Sequence, residues 1–241
     1  MASEQAQALT LSHRQQVLRL AELIARRMRV TALRADVSDI DGWWDTVSEA
    51  VQQEILTGQG ALARLARGYL TAHARAEGTS VRPAVVEPNP EQVATSLRVT
   101  GPVAFRTHMA LSGSAEASVR VMASQLQGAA ERLVLEGDRA TTMRTFATNE
   151  SMAGWRRTGG GGSCPFCLML IGRGGVYSRR TVTFEAHDRC RCSAEPLYRR
   201  GEEPPEVRRL QREWREATAG TTGAGAVAAW RTFLAAQGRT Q

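Results

Sequence analysis

A mainly α-helical fold is predicted by two observations, and a third adds a small mixed unit to it. Apolar residues recur at three- and four-residue steps over most of the 241 residues, and glycines and prolines cut these stripes into segments. All four cysteines fall inside one stretch, Cys164 to Cys192, behind a run of four glycines. The expected organisation is therefore a helical region over 1–158, with a further boundary within 77–90, a cysteine-bearing α+β module over 159–200, and a C-terminal helical tail over 201–241. A chain of this length buries a core without covalent staples, so the cysteines need a reason other than stability.

The first element is an amphipathic helix. Ser12 and Gln15 have the spacing of a capping box, and Val17, Leu20, Ile24 and Met28 form its apolar stripe. Ser38, Asp39 and Asp41 offer caps for a second helix striped by Trp44, Val47, Val51 and Ile55. Gly58 and Gly60 predict a break or kink before Leu62, Leu65 and Tyr69 resume the pattern. Gly78, Pro83, Pro88 and Pro90 give residues 77–90 a linker composition, with a helix expected after Pro90. The clearest stripe follows: Val119, Met122, Leu126, Ala129 and Leu133, ending before Gly137, with Asp138 placed to cap another helix through Met143 and Phe146.

Gly159 to Gly162 marks a hinge into the cysteine module, because no regular element tolerates four consecutive glycines. Within the module Thr181-Val-Thr-Phe-Glu185 alternates like a short strand. Beyond it, Pro204-Pro205 opens a helix bearing Val207, Leu210 and Trp214, and Gly220 to Gly225 separates a last amphipathic piece with Val227, Trp230, Phe233 and Leu234.

The cysteines are spaced as Cys164-Pro-Phe-Cys167, nineteen residues, then His187-Asp-Arg-Cys190-Arg-Cys192. Two close thiol pairs joined by a loop form two knuckles that a tetrahedral metal can draw together, and zinc is the metal that thiolate and imidazole ligands favour. Five residues compete for four positions: Cys164, Cys167, His187, Cys190 and Cys192. Either four thiolates bind with His187 behind them, or three thiolates bind with the imidazole and Cys192 is spare. Four protein ligands leave no open position for water, so the zinc is expected to be structural.

Catalytic readings find less support. Cys164-Pro-Phe-Cys167 resembles the Cys-Pro-aromatic-Cys of glutaredoxin-type thiol-disulfide sites, but here glycines precede it and a second thiol pair follows. A zinc deaminase needs His-x-Glu upstream of its cysteines, which the chain lacks. His13, His73 and His108 lie in helical segments outside any recognisable nucleophile motif. The amino terminus lacks the charged and apolar regions of a secretory signal, and no run is long enough to cross a bilayer. No membrane partner is expected, and the thiols belong in a reducing compartment.

The net charge is +7, and every basic residue is arginine. Nine arginines fall between Ser151 and Arg200, against Glu185, Asp188 and Glu195. Such a surface can contact phosphates without reading sequence, and Arg179, Arg180, Arg189 and Arg191 are the expected contacts to duplex DNA.

His187-Asp-Arg-Cys190-Arg-Cys192, followed by Pro196-Leu197, resembles the His-x-x-Cys-Arg-Cys signature of phage Mu F-like minor head proteins. Cys164-Pro-Phe-Cys167 is similar to the upstream pair in the portal-adjacent versions from phages of high-GC hosts. Asp188 stands where the commoner wording has proline. The resemblance covers about Cys164 to Tyr198, with the helical remainder agreeing in character. It implies a virion component acting in head morphogenesis, made in the host cytoplasm and associated with portal or major capsid protein and with packaged DNA, and with no catalytic set in the sequence no enzymatic turnover is expected. Genes in this position are also described as capsid maturation proteases, the enzymatic alternative.

Overall fold

The computed structural model describes residues 2–160, 162–178, 183–199 and 201–239. In chain order the amino-terminal part comprises α1 (Glu4–Ala32), α2 (Ile40–Ala76), α3 (Pro90–Arg98), a π-helical turn (Val99–Val103), α4 (Ala104–Ser112) and α5 (Ala115–Thr148). Helices α1, α2 and α5 pack on one another as a bundle, and α3 and α4 close one end of it. The core is built from the stripes expected of these sequences: Val17, Ile24 and Met28 meet Val51, Ile55 and Leu62, and both sets meet Met122, Leu126 and Leu133. Each such side chain contributes about 1.5–3 kcal/mol on full burial, so the stripes decide the arrangement.

Several helix ends differ from expectation. The cap of α1 is Ser3, whose hydroxyl accepts from the amide of Ala6, whereas Ser12 lies mid-helix on the exposed face. Asp39 caps α2 as expected, accepting from Gly42. Helix α2 then runs straight through Gly58 and Gly60, and α5 straight through Gly137 and Asp138. The physical reason is close approach. A Cβ at Gly58 would stand 2.6 Å from Ile24 Cδ1, and one at Gly137 would overlap the carbonyl oxygen of Gln59, so glycine here lets helices touch. Asp138 caps nothing. Its buried carboxylate meets His13 Nε2 at 2.6 Å, across from α1.

The second part holds β1 (Gly154–Thr158), α6 (Pro165–Gly172), β2 (Ser193–Leu197), α7 (Pro205–Ala217) and α8 (Gly223–Ala236). Strands β1 and β2 pair antiparallel in the register Arg156↔Glu195. The expected strand at 181–185 is not the one that forms. Thr183 to Glu185 are irregular, and Thr181 and Val182 lie outside the described residues. The sheet is made instead by segments that carry buried charge, Arg156 bonding Glu195 through two hydrogen bonds at 2.7 and 2.8 Å. Helices α7 and α8 pack onto α6, with Leu210, Trp230 and Leu234 sharing one core with the cysteines.

Candidate metal centre

The first knuckle is the start of α6. Cys164 is its N-cap, with Sγ accepting from the Cys167 amide at 3.4 Å, and Pro165 stands at the first helical position, where its missing N–H costs nothing. The second knuckle is a turn closed by the Cys190 amide donating to the His187 carbonyl at 3.0 Å. Arg189 sits in that turn at φ 62°, a left-handed conformation unusual for a residue with a side chain. Its guanidinium is bonded to the carbonyl and hydroxyl of Ser124 on α5, which holds the turn in place.

The fold brings the five expected residues together in two overlapping groups. Cys164, Cys167 and His187 form one, Cys167, Cys190 and Cys192 the other, and within each group all ligand atoms lie within 4.8 Å of one another. Cys167 belongs to both. Cys167 Sγ is 3.7 Å from Cys190 Sγ and 3.6 Å from His187 Nε2, and Cys164 Sγ is 3.1 Å from that same nitrogen. The edges of a tetrahedral zinc site are about 3.8 Å between sulfurs and about 3.6 Å between sulfur and nitrogen, so the cluster has the dimensions to hold a metal ion.

His187 is oriented for ligation. Its Nδ1 donates to the Asp188 carbonyl at 2.7 Å, which leaves the Nε2 lone pair facing the two sulfurs. Burial pushes the Cys164 thiol up, but the amide and thiol of Cys167 and the His187 ring outweigh it and hold the group below the usual thiol range. Cys190 is held lower still, chiefly by its hydrogen bond with Cys167, which is pushed up in turn. All four cysteines are free thiols.

Residues that spacing did not reveal complete the surroundings. Arg139 of α5 is 1% exposed and donates to the carbonyls of Cys190 and Cys192 at 2.5 to 3.2 Å. Arg157 of β1, also buried, lies 4.0 Å from Cys190 Sγ and donates to the Glu185 carbonyl. Both guanidiniums lie over the Phe184 ring, that of Arg139 at 5.1 Å and that of Arg157 at 3.8 Å from its centroid. A signal was present in the Arg156-Arg157 pair, two consecutive cations in a strand that has no outward face.

Of the expected DNA contacts, Arg179 and Arg180 lie outside the described residues. Arg191 is paired with Glu22 at 3.1 Å and Glu131 at 3.0 Å, so both it and Arg189 face the bundle. Asp188 likewise pairs with Arg132 of α5 at 2.7 Å. Among the described residues, no helix is long and apolar enough to cross a membrane.

Taken as a class, this is a helical-bundle protein carrying a cysteine- and histidine-knuckled α+β unit that can hold a metal ion. The family model of the VG15 protein matches residues 4–217, nearly the whole chain. The chain belongs to the VG15 family, a phage or viral protein family. No curated protein and no solved structure matches it.

Proposed function

We propose that the chain is a structural minor head protein of a tailed phage, of the Mu F-like kind, a component of the virion that associates with portal or major capsid protein and turns over no substrate. In this reading four of Cys164, Cys167, His187, Cys190 and Cys192 hold one structural zinc. The observation that carries it is the convergence of the His187-to-Cys192 stretch and the Cys164-Pro-Phe-Cys167 knuckle into one cluster of tetrahedral dimensions. With Cys167 shared between both groups, protein ligands fill the coordination sphere and leave no place for a reacting water, which is the arrangement of a metal that holds a fold. Membership of a phage or viral family supports the setting.

The test is the composition of purified particles. The protein is expected in DNA-filled heads and in portal-containing assembly intermediates after density-gradient separation. Its absence from both would overturn the head assignment. Incubation with purified major capsid protein is expected to leave that protein intact. Cleavage that disappears on substitution of a single Ser or His of this chain would replace the structural reading with the protease.

A further inference from the structure

Helix α6 reads Pro165-Phe-Cys-Leu-Met-Leu-Ile-Gly172, apolar all round, and such a helix is stable only when covered on every side. One side faces the cysteines and α8. The other is open: a groove of about 460 Å³ runs between α6 and α7, walled by Leu168 and Met169 on one side and Trp214 on the other, with Val176 at its mouth. Its floor is closed because Gly172 lets Leu210 approach to 3.2 Å of where a Cβ would stand. Trp214 packs edge-on against Trp230 at 5.5 Å. Val176 is 64% exposed beside it, a large apolar residue with no internal cover.

The rim decides what fits. Arg173 ends the α6 wall and Arg215 ends the α7 wall, and both are exposed. Among the described residues lining the groove there is no carboxylate. We infer that this groove is a docking site for an amphipathic acidic segment of a partner protein, whose bulky apolar side chains enter between α6 and α7 while its carboxylates meet Arg173 and Arg215. A second copy of this chain is a poor occupant, since it would bring a net charge of +7 to a cationic rim. The lining of this groove includes none of the five candidate ligands, and the inference does not depend on the role proposed above.

The experiment uses the full-length, metal-loaded protein and an unbiased displayed peptide library. Selected peptides are expected to carry two bulky apolar residues at helical spacing together with Asp or Glu. In fluorescence anisotropy the best of them, labelled, is expected to bind Arg173→Glu/Arg215→Glu at least about tenfold more weakly than the parent. Val176→Asp is expected to lose binding as well. Far-ultraviolet circular dichroism and metal content, unchanged in each variant, establish that the protein still folds. Three outcomes overturn the inference: a library that yields no binder, selected peptides without acidic residues, or binding that survives both variants. Concentration-dependent dimerisation abolished by Val176→Asp in sedimentation velocity would assign the groove to a second copy instead.

Discussion

Mild acid is expected to destabilise this protein through His73. The side chain is 0% exposed, edge-on to Tyr69 at 5.4 Å and 5.8 Å from Tyr198, and among the described residues neither ring nitrogen has a hydrogen-bond partner. Glu195 lies 4.0 Å away, but its carboxylate is already held by Arg156. Burial lowers the His73 pKa from 6.5 to about 4, reinforced by Arg156 and only partly opposed by Glu77. The unfolded chain therefore takes up a proton near the ordinary value while the folded chain does not until about 4. Between those values the unfolded state binds more protons, so stability is full above the upper one and falls as pH drops toward the lower one. At 1.36 kcal/mol for each unit, the loss across the window is about 3 kcal/mol, a large part of the roughly 5–15 kcal/mol of a typical domain. Urea unfolding followed by tryptophan fluorescence at a series of pH values, on the parent and on His73→Phe, isolates this term from other acid effects. The parent is expected to lose about 3 kcal/mol more than the variant over the window. Parallel stability profiles would refute the reasoning.

Three further outcomes are expected. Metal analysis should find about one zinc per chain, with Cys167→Ser losing it and, since Cys167 alone belongs to both ligand groups, His187→Ala or Cys192→Ser losing less. At the β1–β2 pair, Arg156→Met alone should cost about 3–5 kcal/mol in denaturant unfolding, because it leaves the buried Glu195 without its cation, and Glu195→Gln should cost less, because Glu203 lies 3.8 Å from Arg156, while replacing both Arg156 and Glu195 with apolar residues should recover most of the loss. Gly137→Ala should lower stability by about 1–3 kcal/mol despite the better helix propensity of alanine, because the added methyl meets the Gln59 carbonyl. A stabilised variant in calorimetry would show that α2 and α5 can move apart freely.

The bundle was legible in sequence to the extent that burial follows a helical period. Val17, Ile24 and Met28, or Met122, Leu126 and Leu133, announce the faces they bury. Helix ends were less legible, because glycine in a helix has two meanings. Local propensity, worth about 1 kcal/mol, argues for a break at Gly58 or Gly137. Packing argues for continuity, and only the neighbouring helix reveals which holds. The cysteine spacing pointed to the Cys/His cluster that could hold a metal ion, since two knuckles need little more than local sequence. The sheet was hidden for a different reason. Gly154-Trp-Arg-Arg-Thr158 and Ser193-Ala-Glu-Pro-Leu197 bury charged residues, so neither alternates polar with apolar, and the Arg156–Glu195 pairing that permits this joins residues far apart in the chain.

The same non-local charge links the bundle to the proposed metal centre. A divalent ion held by three or four thiolates carries a net charge of about −1 to −2, and burying it without compensation is costly. Arg139 and Arg157, both over the Phe184 ring, would supply that compensation, and among the described residues each keeps one guanidinium nitrogen without a hydrogen-bond partner, Nη1 in Arg139 and Nε in Arg157. Hydrogen bonding alone therefore does not account for two buried cations here. A charged thiolate centre would. Arg139 comes from α5, next to Asp138, which is itself committed to His13 of α1. Without the thiolate centre, Arg139 would be a buried cation left with carbonyl dipoles, the Phe184 ring and the carboxylates of Glu131 and Glu136, and the cost of its burial would fall on the helix that forms the middle of the bundle. The glycine run at 159–162 thus separates the two parts in sequence without separating them in energy. Gly160 packs under the guanidinium of Arg14 from α1, and Arg191 reaches Glu22 and Glu131. Arginines of one part bonded to the other couple the cysteine unit to the bundle, and a metal held by the thiolates would stabilise both by fixing the carbonyls of Cys190 and Cys192 where Arg139 meets them.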